Sequence, residues 1–97
     1  MSQPRFDWDP VKAAENARKH HVSFTEAMTV FEDDEALLMA DPDHSVGQER
    51  FILLGLSSGL RVLVVVHCET RDGAVIRIIS ARKADRSERE LYADRRR

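Results

Sequence analysis

Between residues 23 and 31, Phe24, Ala27, Met28 and Phe31 recur at steps of three and four, the period of a helix with one buried face. Just ahead, Ser23 and Glu26 have the S-x-x-E spacing of a capping box. In that device the serine hydroxyl takes the N–H three residues on and the glutamate reaches back to the serine's own N–H. A helix is therefore predicted to open at this point. An earlier helix is predicted over residues 10–19, because Asp9 suits an N-cap and Pro10 a first helical position, where its missing N–H costs nothing. Its apolar residues, Val11, Ala13, Ala14 and Ala17, form only a narrow stripe of small side chains, as expected of a surface helix.

The period then changes. An apolar burst over residues 36–40 is closed by Asp41-Pro42, which stops regular structure, and predicts a short strand. Three stronger strands are predicted at residues 50–57, 61–68 and 75–82. The connections SSGL and ETRDGA are short and contain glycine, so these strands should form antiparallel hairpins. The continuous run VLVVV predicts a central strand covered on both faces. At the start, Phe6 and Trp8 alternate with Arg5, Asp7 and Asp9, either as a short edge strand or as an extended lead-in. At the end, Asp85 and Glu88 repeat the cap-like spacing before a helix with few apolar residues beyond Leu91 and Tyr92, hence weakly anchored. The expected fold class is α+β: two N-terminal helices, an antiparallel sheet of three to four strands, and one C-terminal helix.

At 97 residues the chain has room for one core, so residues 1–97 are read as a single domain. With one cysteine, Cys68, an internal disulfide is excluded. Apolar runs fall far short of the roughly 18 residues that span a bilayer, and the N-terminus lacks the apolar stretch of a signal peptide. The expected location is cytoplasmic. The net charge of -2 conceals an asymmetry: residues 1–49 hold 4 Lys+Arg against 11 Asp+Glu, whereas residues 50–97 hold 11 against 6. Ten of those eleven cations are arginine, the residue suited to bidentate phosphate contacts and to stacking on bases. Either a phosphate-rich partner or the chain's own acidic half is the counterpart.

Metal binding has little support. His20 and His21 are adjacent and diverge by about 100° on a helix, whereas zinc chelation on a helix uses i and i+4; only His44 and His67 remain to join them. No nucleophile elbow, P-loop or dinucleotide fingerprint occurs, and no cofactor is expected. The strand VIRIISARKA is more telling, since Arg77, Ser80, Arg82 and Lys83 interrupt an apolar run. Cations there must face water or an anion. Parity puts Arg77 on one side with Ser80 and Arg82 on the other, so a bulge near residues 80–81, or the end of the strand there, is needed to bring them together. A second polar cluster, His44-Ser45 with Glu49-Arg50, leads into the first strong strand. Metal-free RNA cleavage needs a base, an acid and cations for the charged phosphorane, and histidine, carboxylate, lysine and arginine supply all of these.

Three stretches, FDWDPVKAAENARKHHVSF with the following EA, the D-HS--QERF segment, and IRIISARKA with ERELY, together resemble the BrnT family, toxins of type II toxin–antitoxin pairs, over residues 6–92. The resemblance implies a RelE-like ribonuclease fold and an endoribonuclease that blocks translation. It also implies a partner, a BrnA-type ribbon-helix-helix antitoxin that dimerises and binds the operon's promoter, so that DNA is reached only through the antitoxin and a hetero-oligomer is expected. Position by position, the family's KH pair falls on Lys19 and His20, its acidic-basic pair on Glu49 and Arg50, and its ISAR run on residues 79–82 with Arg77 before it. These residues, Ser80 included, form the implied catalytic set, and Arg71 and Lys83 are added as RNA-binding cations. Lys19 and the arginines are assigned to phosphate binding, His20 or Glu49 to proton transfer. His21 stands where the family usually has glycine, and a side chain resists the left-handed backbone that glycine supplies at a helix end. Two alternatives stay open: a non-catalytic module acting only within an antitoxin–DNA repressor complex, and a metal-binding regulator.

Overall fold

A computed structural model describes residues 3–42, 49–70 and 72–95. Among the described residues five strands form one sheet in the order β1-β5-β4-β3-β2: β1 Arg5–Asp7, β2 Leu37–Ala40, β3 Phe51–Leu56, β4 Val62–Glu69 and β5 Val75–Lys83. Helices α1 Pro10–His20 and α2 Phe24–Thr29, the latter continued by a 3₁₀ turn Val30–Glu32, lie on one side, and α3 Arg86–Arg95 follows the last strand. The α+β class and the three helices agree with the expectation. The strand count and the purely antiparallel sheet do not, because RFD is a true strand that pairs in parallel with the start of β5.

VLVVV is central as expected, and its β-branched side chains fill both faces of β4. Leu63 and Val65 pack under Val22, Phe24, Ala27 and Val30, while Val64 packs with Leu54, Ala84 and Tyr92 on the other side. Each such buried Val, Leu or Phe side chain contributes on the order of 1.5–3 kcal/mol. Beyond its core contacts, Phe24 meets Trp8 edge-on at 5.9 Å between ring centroids, and Phe31 meets Phe6 at 5.1 Å, which secures β1 to the helices. Tyr92, 4% exposed, donates its hydroxyl to Asp33 Oδ2 at 2.6 Å, so α3 is tied down more firmly than its composition suggests.

The two S/D-x-x-E sequences have different outcomes. Asp85 and Glu88 form the full reciprocal box, with Glu88 N–H donating to Asp85 Oδ1 and Asp85 N–H to Glu88 Oε1, each at 2.8 Å. Ser23 caps α2 at 3.0 Å, but Glu26 does not reach back. Its carboxylate instead accepts from Arg61 Nε at 3.0 Å, from Arg61 Nη2 and from Ser57 Oγ at 2.6 Å. A guanidinium offers a stronger, charge-assisted bond than a backbone N–H, and it holds the Glu26 carboxyl below the ordinary glutamate range. Gly59 makes room for this pair, since a Cβ there would lie 2.9 Å from Glu26 Oε2.

Among the described residues His67 is the one fully buried imidazole, set edge-on to Phe31 at 4.8 Å and tilted against Phe51. Neither ring nitrogen has a hydrogen-bond partner, and Nε2 stands 3.7 Å from Glu69 Oε2. Burial therefore pushes its pKa down. The unfolded chain takes the proton first, so stability is complete above about pH 6.5 and declines below it by up to about 1.4 kcal/mol per pH unit until the folded form also protonates. We expect His67→Phe to flatten the acid limb of a urea-denaturation series between pH 7 and 5. Parallel limbs in the two proteins would exclude His67 as the cause.

Candidate active site

Antiparallel pairing places directly opposed residues on the same face, and the register of this sheet sorts the candidate residues. Facing α3 are the rows Leu37–Leu54–Val64–Arg82 and Met39–Ile52–Val66–Ser80, followed by Cys68 opposite Arg77, itself opposite Asp7 of β1. Tyr92 of α3 covers Leu54 and Val64 in the first row. Ile52, Val66 and Ser80 in the second remain partly exposed, and Arg77 and Arg82 are both exposed.

A register shift makes this grouping possible. His67 pairs with Ile78 but Val66 pairs with Ser80, leaving Ile79 as an extra residue in β5. The bulge inverts the parity of everything after it. Ile78 and Ala81 both enter the core beneath the helices, while Arg77, Ser80 and Arg82 share the opposite face. The bulge that the sequence demanded is present, one residue before the expected place.

Each arginine is held by a carboxylate of the chain. Arg77 Nη1 donates to Asp7 Oδ2 at 2.5 Å, with side chains 47% and 54% exposed, so this pair is well solvated. Arg82 is gripped by both oxygens of Glu88 at 2.8 Å. Glu88 raises the Arg82 pKa, and Arg82 in turn keeps the Glu88 carboxyl ionised to lower pH than usual. A guanidinium has five N–H donors, so each arginine keeps donors free for a phosphate.

Lys19 and His20 end α1 on the far side of the β5 edge. With Lys12, Glu15, Asn16, Arg18, Ile79 and Ser80 they line an open hollow of about 480 Å³. Ser80 thus borders the hollow and also belongs to the arginine face. The two surfaces are held together by Asn16, which the sequence reading passed over. Buried at 7% exposure, its Oδ1 accepts from Ala81 N–H at 3.1 Å, and its Nδ2 donates to Ala81 C=O at 2.8 Å and to Val22 C=O at 3.0 Å. A lone amide in an alanine-rich helix was the available signal. Next to it, His21 takes the left-handed backbone expected of the family's glycine, at φ 58° and ψ 33°. The strain, about 1 kcal/mol, is offset where its N–H donates to Ala17 C=O at 2.9 Å and its C=O accepts from Arg61 at 3.0 Å.

The remaining candidates are dispersed. Glu49 is exposed ahead of β3, two strands away from β5, and does not border the hollow. Arg50 precedes Phe51, which opposes His67, so alternation turns it toward the arginine face, but its Nε is enclosed without a partner. Lys83 pairs with Leu63 and lies exposed on the side opposite Arg82. His44, Ser45 and Arg71 lie outside the described residues. Among the described residues, no three His, Cys, Asp or Glu side chains converge as metal ligands, and no helix is long and apolar enough to cross a membrane.

Comparison with known proteins bears on the fold and on the family. No curated protein matches the chain by sequence. Among solved structures, the fold is similar to the 1.1 Å crystal structure of the Brucella abortus ribonuclease toxin BrnT, with a TM-score of 0.64 and 21% identity over 87% of this chain and 100% of that one. A family model for the ribonuclease toxin BrnT of type II toxin–antitoxin systems matches residues 8–88, a span that includes every candidate from Lys19 to Arg82. The resemblance read from the sequence is thereby borne out, and the chain belongs to the BrnT family of ribonuclease toxins.

Proposed function

We propose that the chain, acting as one RelE-like toxin domain in the cytoplasm, is a metal-independent endoribonuclease that arrests translation and growth and is neutralised by a BrnA-type ribbon-helix-helix antitoxin. The observation that carries this reading is the bulge at Ile79, which gathers Arg77, Ser80 and Arg82 on one open face beside the Lys19–His20 hollow. In the proposed reaction the RNA 2′-oxygen attacks the adjacent phosphorus and its proton passes to a base. The P–O5′ bond breaks, and an acid protonates the departing 5′-oxygen, leaving a 2′,3′-cyclic phosphate and a 5′-hydroxyl. His20, half-buried at the hollow, is placed for one of these proton transfers, with Glu49 the alternative. Lys19, Arg77 and Arg82 offset the charge that builds on the phosphorane oxygens, Ser80 offers a hydroxyl between them, and Arg50 adds positive charge at the end of the face.

One observation favours the non-catalytic module: Arg77 and Arg82 are already paired with Asp7 and Glu88. The test is to incubate the folded protein with single-stranded RNA in EDTA and, separately, to induce its expression in cells. Cleavage to cyclic-phosphate ends, with growth arrest relieved by the antitoxin, is expected. A protein folded by circular dichroism that neither cuts RNA nor slows growth excludes the enzyme.

A further inference from the structure

The hollow extends beyond the residues assigned to the reaction. On α1, Lys12, Asn16 and Lys19 follow one another at i, i+4 and i+7, so they share a face of the helix, and all three line the hollow. Asn16 at its floor uses its amide on Ala81 and Val22. Lys12 and Lys19 are exposed at its rim, two turns or roughly 10 Å apart along the helix axis. Arg18 adds a third cation, and Glu15 is the sole carboxylate among the lining residues. Cations spaced along a trough suit a backbone of repeating phosphates better than a single compact anion. Ser80, shared with the arginine face, makes the two cationic surfaces continuous around the β5 edge.

We propose that this hollow is a phosphate-binding track for the same RNA, with Lys12 as its outermost contact. A strand crossing from Arg82 and Arg77 over Ser80 enters the hollow with its reacting phosphate beside Lys19 and lays the next phosphate against Lys12. The surfaces lie on opposite sides of a sheet edge, so the path bends sharply; a flexible single strand follows it and a stiff duplex does not. This inference rests on the ribonuclease reading, and its test is one of binding rather than cleavage.

The probe is a short single-stranded RNA with 2′-O-methyl groups, which lacks the attacking hydroxyl and stays intact on the wild-type protein. Binding is followed by fluorescence anisotropy across a salt series. Each phosphate contact on a single strand contributes about 0.7 to the slope of log K against log salt. Lys12→Gln should weaken binding and reduce the magnitude of that slope by about 0.7, with an unchanged circular dichroism spectrum. Arg86→Gln, on α3 and paired with Glu90, should leave both as in the wild type, and a duplex of the same sequence should bind more weakly. An unchanged slope for Lys12→Gln, or an equal fall for Arg86→Gln, overturns the track while leaving the ribonuclease reading in place. A wild-type protein that binds no RNA overturns both.

Discussion

Replacing Asn16 by alanine should lower the stability of the fold by about 3–4 kcal/mol, a large part of the 5–15 kcal/mol typical of a domain. β1 pairs with β5 only from Val75 to Arg77, and beyond that the outer backbone of β5 would be open. Asn16 closes it at Ala81 as a neighbouring strand would, by one donated and one accepted bond. A third bond, to Val22 C=O, fixes the turn between α1 and α2. Alanine removes all three partners and leaves one N–H and two C=O groups facing a methyl. A buried polar group left unpaired costs about 1–3 kcal/mol, and water reaching these groups from the adjoining hollow keeps the sum at the lower end. Aspartate should be no better, because its carboxylate keeps the bond from Ala81 N–H but sets negative oxygen against two carbonyls. Urea denaturation of the three proteins checks this. A loss below about 1 kcal/mol for the alanine variant, with an unchanged m-value, would show that Asn16 is dispensable to the edge.

Much of this arrangement is written locally, and the missing parts are those set by distant partners. Helix α2 and strands β3 to β5 follow from apolar period and β-branched runs, which report on burial directly. Three residues, RFD, cannot reveal that they pair in parallel with a strand some seventy positions away. The bulge was legible as a conflict, because Arg77 and Arg82 cannot share a face without it. Parity says only that the extra residue lies between them, and Ile79 is selected by how Ile78 and Ala81 fit the core. Ser23–Glu26 and Asp85–Glu88 have the same spacing, yet only the second closes, since Arg61 claims Glu26 from thirty-five positions away. The candidate chemistry was likewise legible as residue types. Grouping Lys19 and His20 with Ser80, and separating Glu49, required the fold.

Arg82 joins structure to the proposed chemistry, and two substitutions separate its roles. Arg82→Ala removes a cation from the open face and also the bidentate partner of Glu88. Loss of one preorganised charge-stabilising donor typically costs 10²–10³-fold in rate, so cleavage should fall by on the order of 10²-fold. Glu88→Gln removes the carboxylate and keeps the guanidinium. Its Oε1 can still accept from Asp85 N–H, so the cap of α3 survives in part. With the Arg82 side chain 44% exposed, the lost ion pair is worth only about 0.5–1 kcal/mol. Freed from that pair, Arg82 should serve an incoming phosphate at least as well as before, and Glu88→Gln should cleave as fast as the wild type or faster. The contrast matters more than either rate. If both variants lose activity in proportion to their loss of stability, Arg82 is a strut for α3. If only Arg82→Ala loses it, at a temperature where both proteins remain folded, its guanidinium acts on the substrate.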